Sequence, residues 1–164
     1  TTALGAISDS SVVDLGIIGD AGLTRAEDRS NTEAYDWGGN LIAVLQQQYS
    51  LTLTFSFMQV MNADVAAAVH GESNVDVTPA TSTAGTEIRM LLNAKLLDMG
   101  SWIFDGMYQG VAMRLAVPLA RITQLGDVVW VHSALCKYDV TLKPFPDADG
   151  NHAYQYWNDG VTTV

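Results

Sequence analysis

Between Tyr49 and Phe57 the chain alternates without a fault, Tyr49, Leu51, Leu53, Phe55 and Phe57 against Ser50, Thr52, Thr54 and Ser56. A period of two puts five apolar side chains on one face of an extended strand and four hydroxyls on the other, whereas a helix would scatter both sets around its circumference. The segment is predicted to be a strand of an antiparallel sheet with one buried and one wetted face, which accounts for the hydroxyls without any further role. Leu41 to Leu45 is expected to extend it through Gln46 to Gln48.

A strand of this kind needs partners, and the rest of the chain supplies candidates. Val111 to Arg121 reads as a strand entered through the turn Gln109-Gly110. Pro118 cannot donate a ladder hydrogen bond, so it marks an edge or a bulge there. Gly126-Asp127 is a turn, after which Val128 to Lys143 resumes the alternation, with Tyr138, Val140 and Leu142 on one side and Lys137, Asp139, Thr141 and Lys143 on the other. Shorter strands are expected at Ser11 to Ile18, closed by Gly19-Asp20, and at Asn74 to Val77, Glu87 to Leu92 and Trp102 to Asp105. A single helix is predicted over Ala63 to His70, capped by Asn62, favoured by Asp64 near its positive end and stopped by Gly71. Its apolar stripe is Val65, Ala68 and Val69.

Many strands and one short helix argue for a mainly β chain, a β-sandwich or barrel, with 1–164 forming a single domain. Residues 21–40, charged and bounded by glycines, are expected to form a protruding arm, and Glu72 to Gly85 a loop. Open sheet edges in such a fold invite pairing with another chain.

Composition limits the function. At 164 residues the chain could bury roughly 70% of its unfolded surface. Only 16% of residues are charged against 48% hydrophobic, so few charges are on hand to cover a monomer. The net charge of −10, from 18 acidic and 8 basic residues, repels phosphate backbones and argues against sequence-specific DNA binding. No apolar run is long enough to span a membrane and no signal peptide is evident in Thr1 to Ile18. The chain does not begin with Met, and residues ahead of Thr1 are expected to have been trimmed. Cys136, the only cysteine, excludes an internal disulfide and a cysteine-cluster metal site and suits a reducing compartment.

Chemistry has little to work with. His70, His132 and His152 are far apart and lack the spacing of a helical zinc site; His70 reads as a favourable charge at a helix C-terminus. Asp147-Ala-Asp-Gly-Asn lacks the ligand alternation and closing Glu of a calcium loop and is a turn, with Gly150 at positive φ. Glu27 and Asp28 are adjacent and would point to opposite faces of a strand. No nucleophile elbow, phosphate loop or dinucleotide fingerprint occurs. The chain is expected not to be an enzyme, with no catalytic residue, cofactor or metal.

Three blocks resemble the major tail tube proteins of long-tailed, siphovirus-type bacteriophages, particularly those of actinobacterial phages. They are Gly22 to Ser30 with Trp37-Gly-Gly and Tyr49 to Phe55; Met61-Asn-Ala-Asp-Val with Val69-His-Gly-Glu72; and Gly126-Asp to Asp147. The resemblance implies a β-sandwich with a flanking helix, whose subunits form hexameric rings, join their long strands into one barrel and stack into a tube that conducts DNA into the host. It implies subunit contacts at Leu23, Arg25, Glu27, Asp28, Arg29 and Trp37 in the arm, with the Glu72 to Gly85 loop a second joint. Barrel strands would carry Ser50, Thr52, Thr54 and Ser56. The implied partners are further copies of the chain, the tape measure, tail terminator and distal tail proteins, and double-stranded DNA passing without specific contacts through an acidic, hydroxyl-lined lumen. The implied location is the virion tail, assembled in the host bacterial cytoplasm. Two alternatives stand beside this reading: a soluble β-sandwich module binding carbohydrate or a receptor on Trp102, Trp130 and Trp157, and a tail adaptor or terminator ring protein.

Overall fold

The alternating segment becomes the inner half of a 17-residue strand. In the computed structural model, which describes residues 7 and 9–161, the elements run β1 (Thr24–Tyr35), β2 (Leu41–Phe57), α1 (Ala63–His70), β3 (Val75–Thr78), β4 (Glu87–Met90), β5 (Gly100–Tyr108), β6 (Val111–Leu125), β7 (Tyr138–Pro144) and β8 (Tyr154–Asn158). The protein is mainly β, with antiparallel sheets and one short α-helix. Six strands form one sheet in the order β1-β2-β7-β6-β5, with β8 also on β6, while β3 and β4 form a separate pair.

Register follows the apolar pattern. Leu53 lies opposite Leu142, which lies opposite Ile122, and Phe55 lies opposite Val140. These residues fill the core with Val117, Ala120 and Tyr138. The sheet must curl to do so. In a flat sheet β2 and β5 would stand about 14 Å apart, three strand spacings; yet the rings of Phe55 on β2 and Phe104 on β5 meet edge to face with centroids 5.0 Å apart. Helix α1 contributes Val65 and Val69 to the same core. Val65, Ala66 and Val69 are its buried residues, so Ala66 rather than Ala68 completes the stripe. The Asn62 side chain accepts from the Asp64 N–H, and the Gly71 N–H closes the helix on the Ala67 carbonyl.

The β5–β6 hairpin turns on Gln109 (φ 50) and Gly110 (φ 83), two left-handed positions that match the twist of the flanking strands. Pro118 is exposed and sits in a bulge: between the Trp102–Val117 and Gly100–Ala120 pairs β6 takes three steps where β5 takes two. The ladder therefore loses nothing by the missing N–H. At Asp147 the carboxylate takes the N–H groups of Asp149 and Asn151 and the Tyr154 hydroxyl, fixing the expected turn that leads into β8.

Three expectations are corrected, and the arm over 21–40 gains a secondary structure. Ser11 to Ile18 is not a strand; Asp14 turns its carboxylate onto the Gly16 N–H at 2.8 Å, a local bond that competes with extension, and only Ile18 bridges to Phe57. Residues 21–40 are mostly strand, because β1 pairs along its length with β2. The alternation from Val128 does not form one strand: residues 128–137 leave the sheet and β7 begins at Tyr138. Burial holds the His70 imidazole below its ordinary pKa, and its ring stands edge-on to Tyr138 at 5.6 Å, so His70 is a packed neutral ring rather than a terminal charge. Thr1, ahead of which further residues are expected, lies outside the described residues.

Candidate assembly surface

The hairpin of β1 and β2 positions most of the residues singled out in the sequence. Its inner end belongs to the main sheet, where β2 pairs with β7 from Leu53 to Phe57. From Leu41 to Thr52 the second edge of β2 carries no strand among the described residues, and the outer edge of β1 carries none along its length. Twelve residues at about 3.3 Å each make an arm of ~40 Å, a two-stranded ribbon with two free edges. Two bulges in β2, at Gln47 and Ile42 where the register slips, re-aim its outer half.

Along the inner half, one face of the arm is held by the protein itself. Arg25 donates to the Gln155 side chain on β8 and lies 3.4 Å from Glu27. The Arg29 guanidinium sits 4.7 Å from the Tyr49 ring centroid and bonds Gln46 at 3.4 Å. Tyr49 in turn meets the His152 ring edge to face at 4.9 Å. Arg25, Glu27 and Arg29 thus stitch the arm to β2 and to the loop and strand around β8. Leu23 packs against the core at the arm's root. Asp28, one residue from Glu27, faces the other way, opposite Ser50.

That other face bears the predicted hydroxyls. Ser50, Thr52, Thr54 and Ser56 alternate along β2, and the register continues from Thr54 to Thr141 and Gln124 and from Ser56 to Asp139. It also carries charge of both signs. The Ser56 hydroxyl donates to the Asp139 carboxylate and Lys143 reaches Ser50. The hydroxyl of Ser56 and the nearby Lys137 ammonium hold Asp139 below the usual carboxylate range. Arg121 lies opposite Lys143, and its Nε is buried without a hydrogen-bond partner. Three cations, Lys137, Lys143 and Arg121, beside Asp28 and Asp139 make this face mixed rather than uniformly acidic.

The outer end is apolar. Tyr35, Leu41, Ile42, Val44 and Leu45 are all exposed, and Trp37 at the turn is 106% exposed. The turn is nonetheless ordered: the Asp36 carboxylate takes both the N–H and the side-chain amide of Asn40, at 2.8 and 3.0 Å. Those two bonds, the side chain's first, lower the Asp36 pKa. Gly39 supplies the left-handed φ of 80 that closes the loop. Nothing in the residue pattern distinguished this tip from the charged arm behind it, although Trp37 lies between turn residues.

A second apolar feature was not foreseen. A groove of about 680 Å³ opens between Val60 and Met61 after β2, Ile88 and Met90 on β4, and Trp130 in the segment before β7. The Glu72 to Gly85 loop resolves into a 3-10 turn over Glu72–Asn74, β3 and a turn in which Thr81 takes the Ala84 N–H. Of the three tryptophans of the carbohydrate-platform alternative, Trp102 packs against Phe55 and Phe104 in the core, which leaves Trp130 and Trp157 exposed.

The architecture defines a mainly β protein built from antiparallel sheets, with an open-edged arm and an ungrouped set of titratable residues. No cluster of metal-holding side chains occurs among the described residues, and no helix among them is long and apolar enough to cross a membrane. Comparison with models of known protein families gives no match, and comparison with curated proteins gives none.

Proposed function

We propose that the protein is a structural subunit of a bacteriophage tail tube, without enzymatic activity, whose copies join into rings that stack as a conduit for double-stranded DNA. The arm is the observation that carries this reading. A two-stranded ribbon of ~40 Å with both edges open and its outer half exposed on both faces is marginal by itself, and its unpaired backbone groups are templates for another chain. Among the described residues the main sheet also ends on the open edge of β5, so β1 of one copy and β5 of the next are available to continue a ladder around a ring. Closure of that ladder covers the outer edges of β1 and β5.

The hydroxyl face supports the conduit role. Ser50, Thr52 and Thr54 offer short, neutral groups, while Ser56 is buried at the inner end, and the cations Lys137, Lys143 and Arg121 are partly balanced by Asp28 and Asp139. With −10 net charges per copy, such a wall does not grip a phosphate backbone. The working location is the virion tail, after assembly in the host cytoplasm, with the tape measure, terminator and distal tail proteins as neighbours. Electron microscopy and sedimentation of the purified full chain test the reading: rings or tubes are expected, and a single-chain particle at every attainable concentration overturns it.

A further inference from the structure

We propose that the apolar tip of the arm, led by Trp37, seats in the Met61–Met90–Trp130 groove of a second copy, linking chains head to tail. This rests on the assembly reading above and names the contact that it leaves open.

The tip and the groove have matching chemistry. Trp37, Leu41 and Ile42 are exposed on an ordered turn, and no Asp, Glu, Lys or Arg lines the groove. The one charge at the turn, Asp36, already spends its carboxylate on Asn40. Docking therefore sets no second charge against Asp36, whose ionised carboxylate keeps its two hydrogen bonds at the rim of the contact. A rigid indole on a preorganised loop loses little entropy on binding, and large aromatics in pockets dominate interface energetics. Trp130 and Met61, 83% and 89% exposed, supply the apolar walls that lack cover in the isolated chain.

The occupant must come from another molecule. β2 runs continuously from Leu41 beside the tip to Phe57, three residues before Val60 in the groove wall. Sixteen steps at about 3.3 Å put tip and groove ~50 Å apart, beyond any side-chain adjustment. With one such surface at each end of a chain, a single contact leaves a tip and a groove open, from which closed rings or open stacks can grow.

The sole cysteine, Cys136, lines the groove and gives a direct test. A chain with Ile42→Cys and Cys136→Ser is mixed with wild-type protein under a mild thiol oxidant, diamide. The expected product is a disulfide-linked pair joining the introduced thiol to Cys136 of the wild-type chain, identified by peptide mass spectrometry. A control with Asp149→Cys in the same Cys136→Ser background should give none. Trp37→Ala should raise the concentration needed for assembly by about thirtyfold or more, the scale of a hot-spot residue. Chains that assemble without the disulfide, with Trp37→Ala assembling as wild type does, overturn the docking and leave the assembly reading intact. Wild-type chains that never associate overturn both.

Discussion

Leu53 and Leu142 are fully buried and face each other across the β2–β7 ladder. Leu142→Ala removes a side chain from the middle of the core and should lower unfolding free energy by about 2–5 kcal/mol in a urea titration, the range for such cavities. A Leu53→Ala change should not add fully to it, because the two share one cavity. His70 carries a different prediction. Burial depresses its pKa below the ordinary value of about 6.5, so the unfolded chain takes up the proton first as pH falls. Its contribution is complete above about pH 6.5 and is lost as pH falls through the lower folded value. His70→Gln should flatten that part of the melting-temperature profile. The decline due to Asp139 and Asp147, both depressed by hydrogen bonds, belongs to a separate window below about pH 4, the ordinary carboxylate value. The sequence placed His70 correctly at a helix end but could not reveal that Tyr138, 68 positions later, covers it, because burial is a property of the packed whole.

At the scale of elements, legibility tracks how one-sided each element is. All of β2 and α1 was legible: a buried face and a wetted face impose a period on the inner half of β2 and on the helix, the extension of the strand back to Leu41 was expected, and Asn62 and Gly71 punctuate the helix. β1 was hidden because both its faces meet solvent along most of its length, so its sequence Thr-Arg-Ala-Glu-Asp-Arg-Ser shows no apolar alternation. β8 was missed for a similar reason: Tyr154, Gln155, Tyr156 and Trp157 form a short strand on β6 with little buried surface. The arm's candidate contacts divide accordingly. Arg25 and Arg29 were read as reaching toward other copies, but Gln155, Glu27 and the Tyr49 ring engage them within the chain. Arg29→Ala should destabilise the single chain by about 0.5–1 kcal/mol, the value of an exposed cation–π contact, while Arg29→Lys should recover part of it. Chemical denaturation of the dilute protein measures this free of assembly.

For the whole molecule, the question is which force joins one copy to the next, and salt separates the answers. If the mixed charges around Arg25, Glu27 and Arg29 made the joint, their attraction would be screened as the Debye length shrinks from about 10 Å at 0.1 M to about 3 Å at 1 M salt. Assembly would then dissolve. The contacts within the chain already use those charges, and the uncovered apolar surfaces include the Trp37 tip and the Trp130 groove. Apolar contacts are strengthened by excluded salts such as sulfate, and screening also relieves the repulsion between copies that each carry −10 charges. Both effects point the same way. Light scattering should therefore show assembly at lower protein concentration as sodium sulfate is added, and no loss of assembly in 1 M sodium chloride. Dissolution in sodium chloride would return the joint to the charged half of the arm and make Arg25 and Arg29, rather than Trp37, the residues on which neighbouring copies depend.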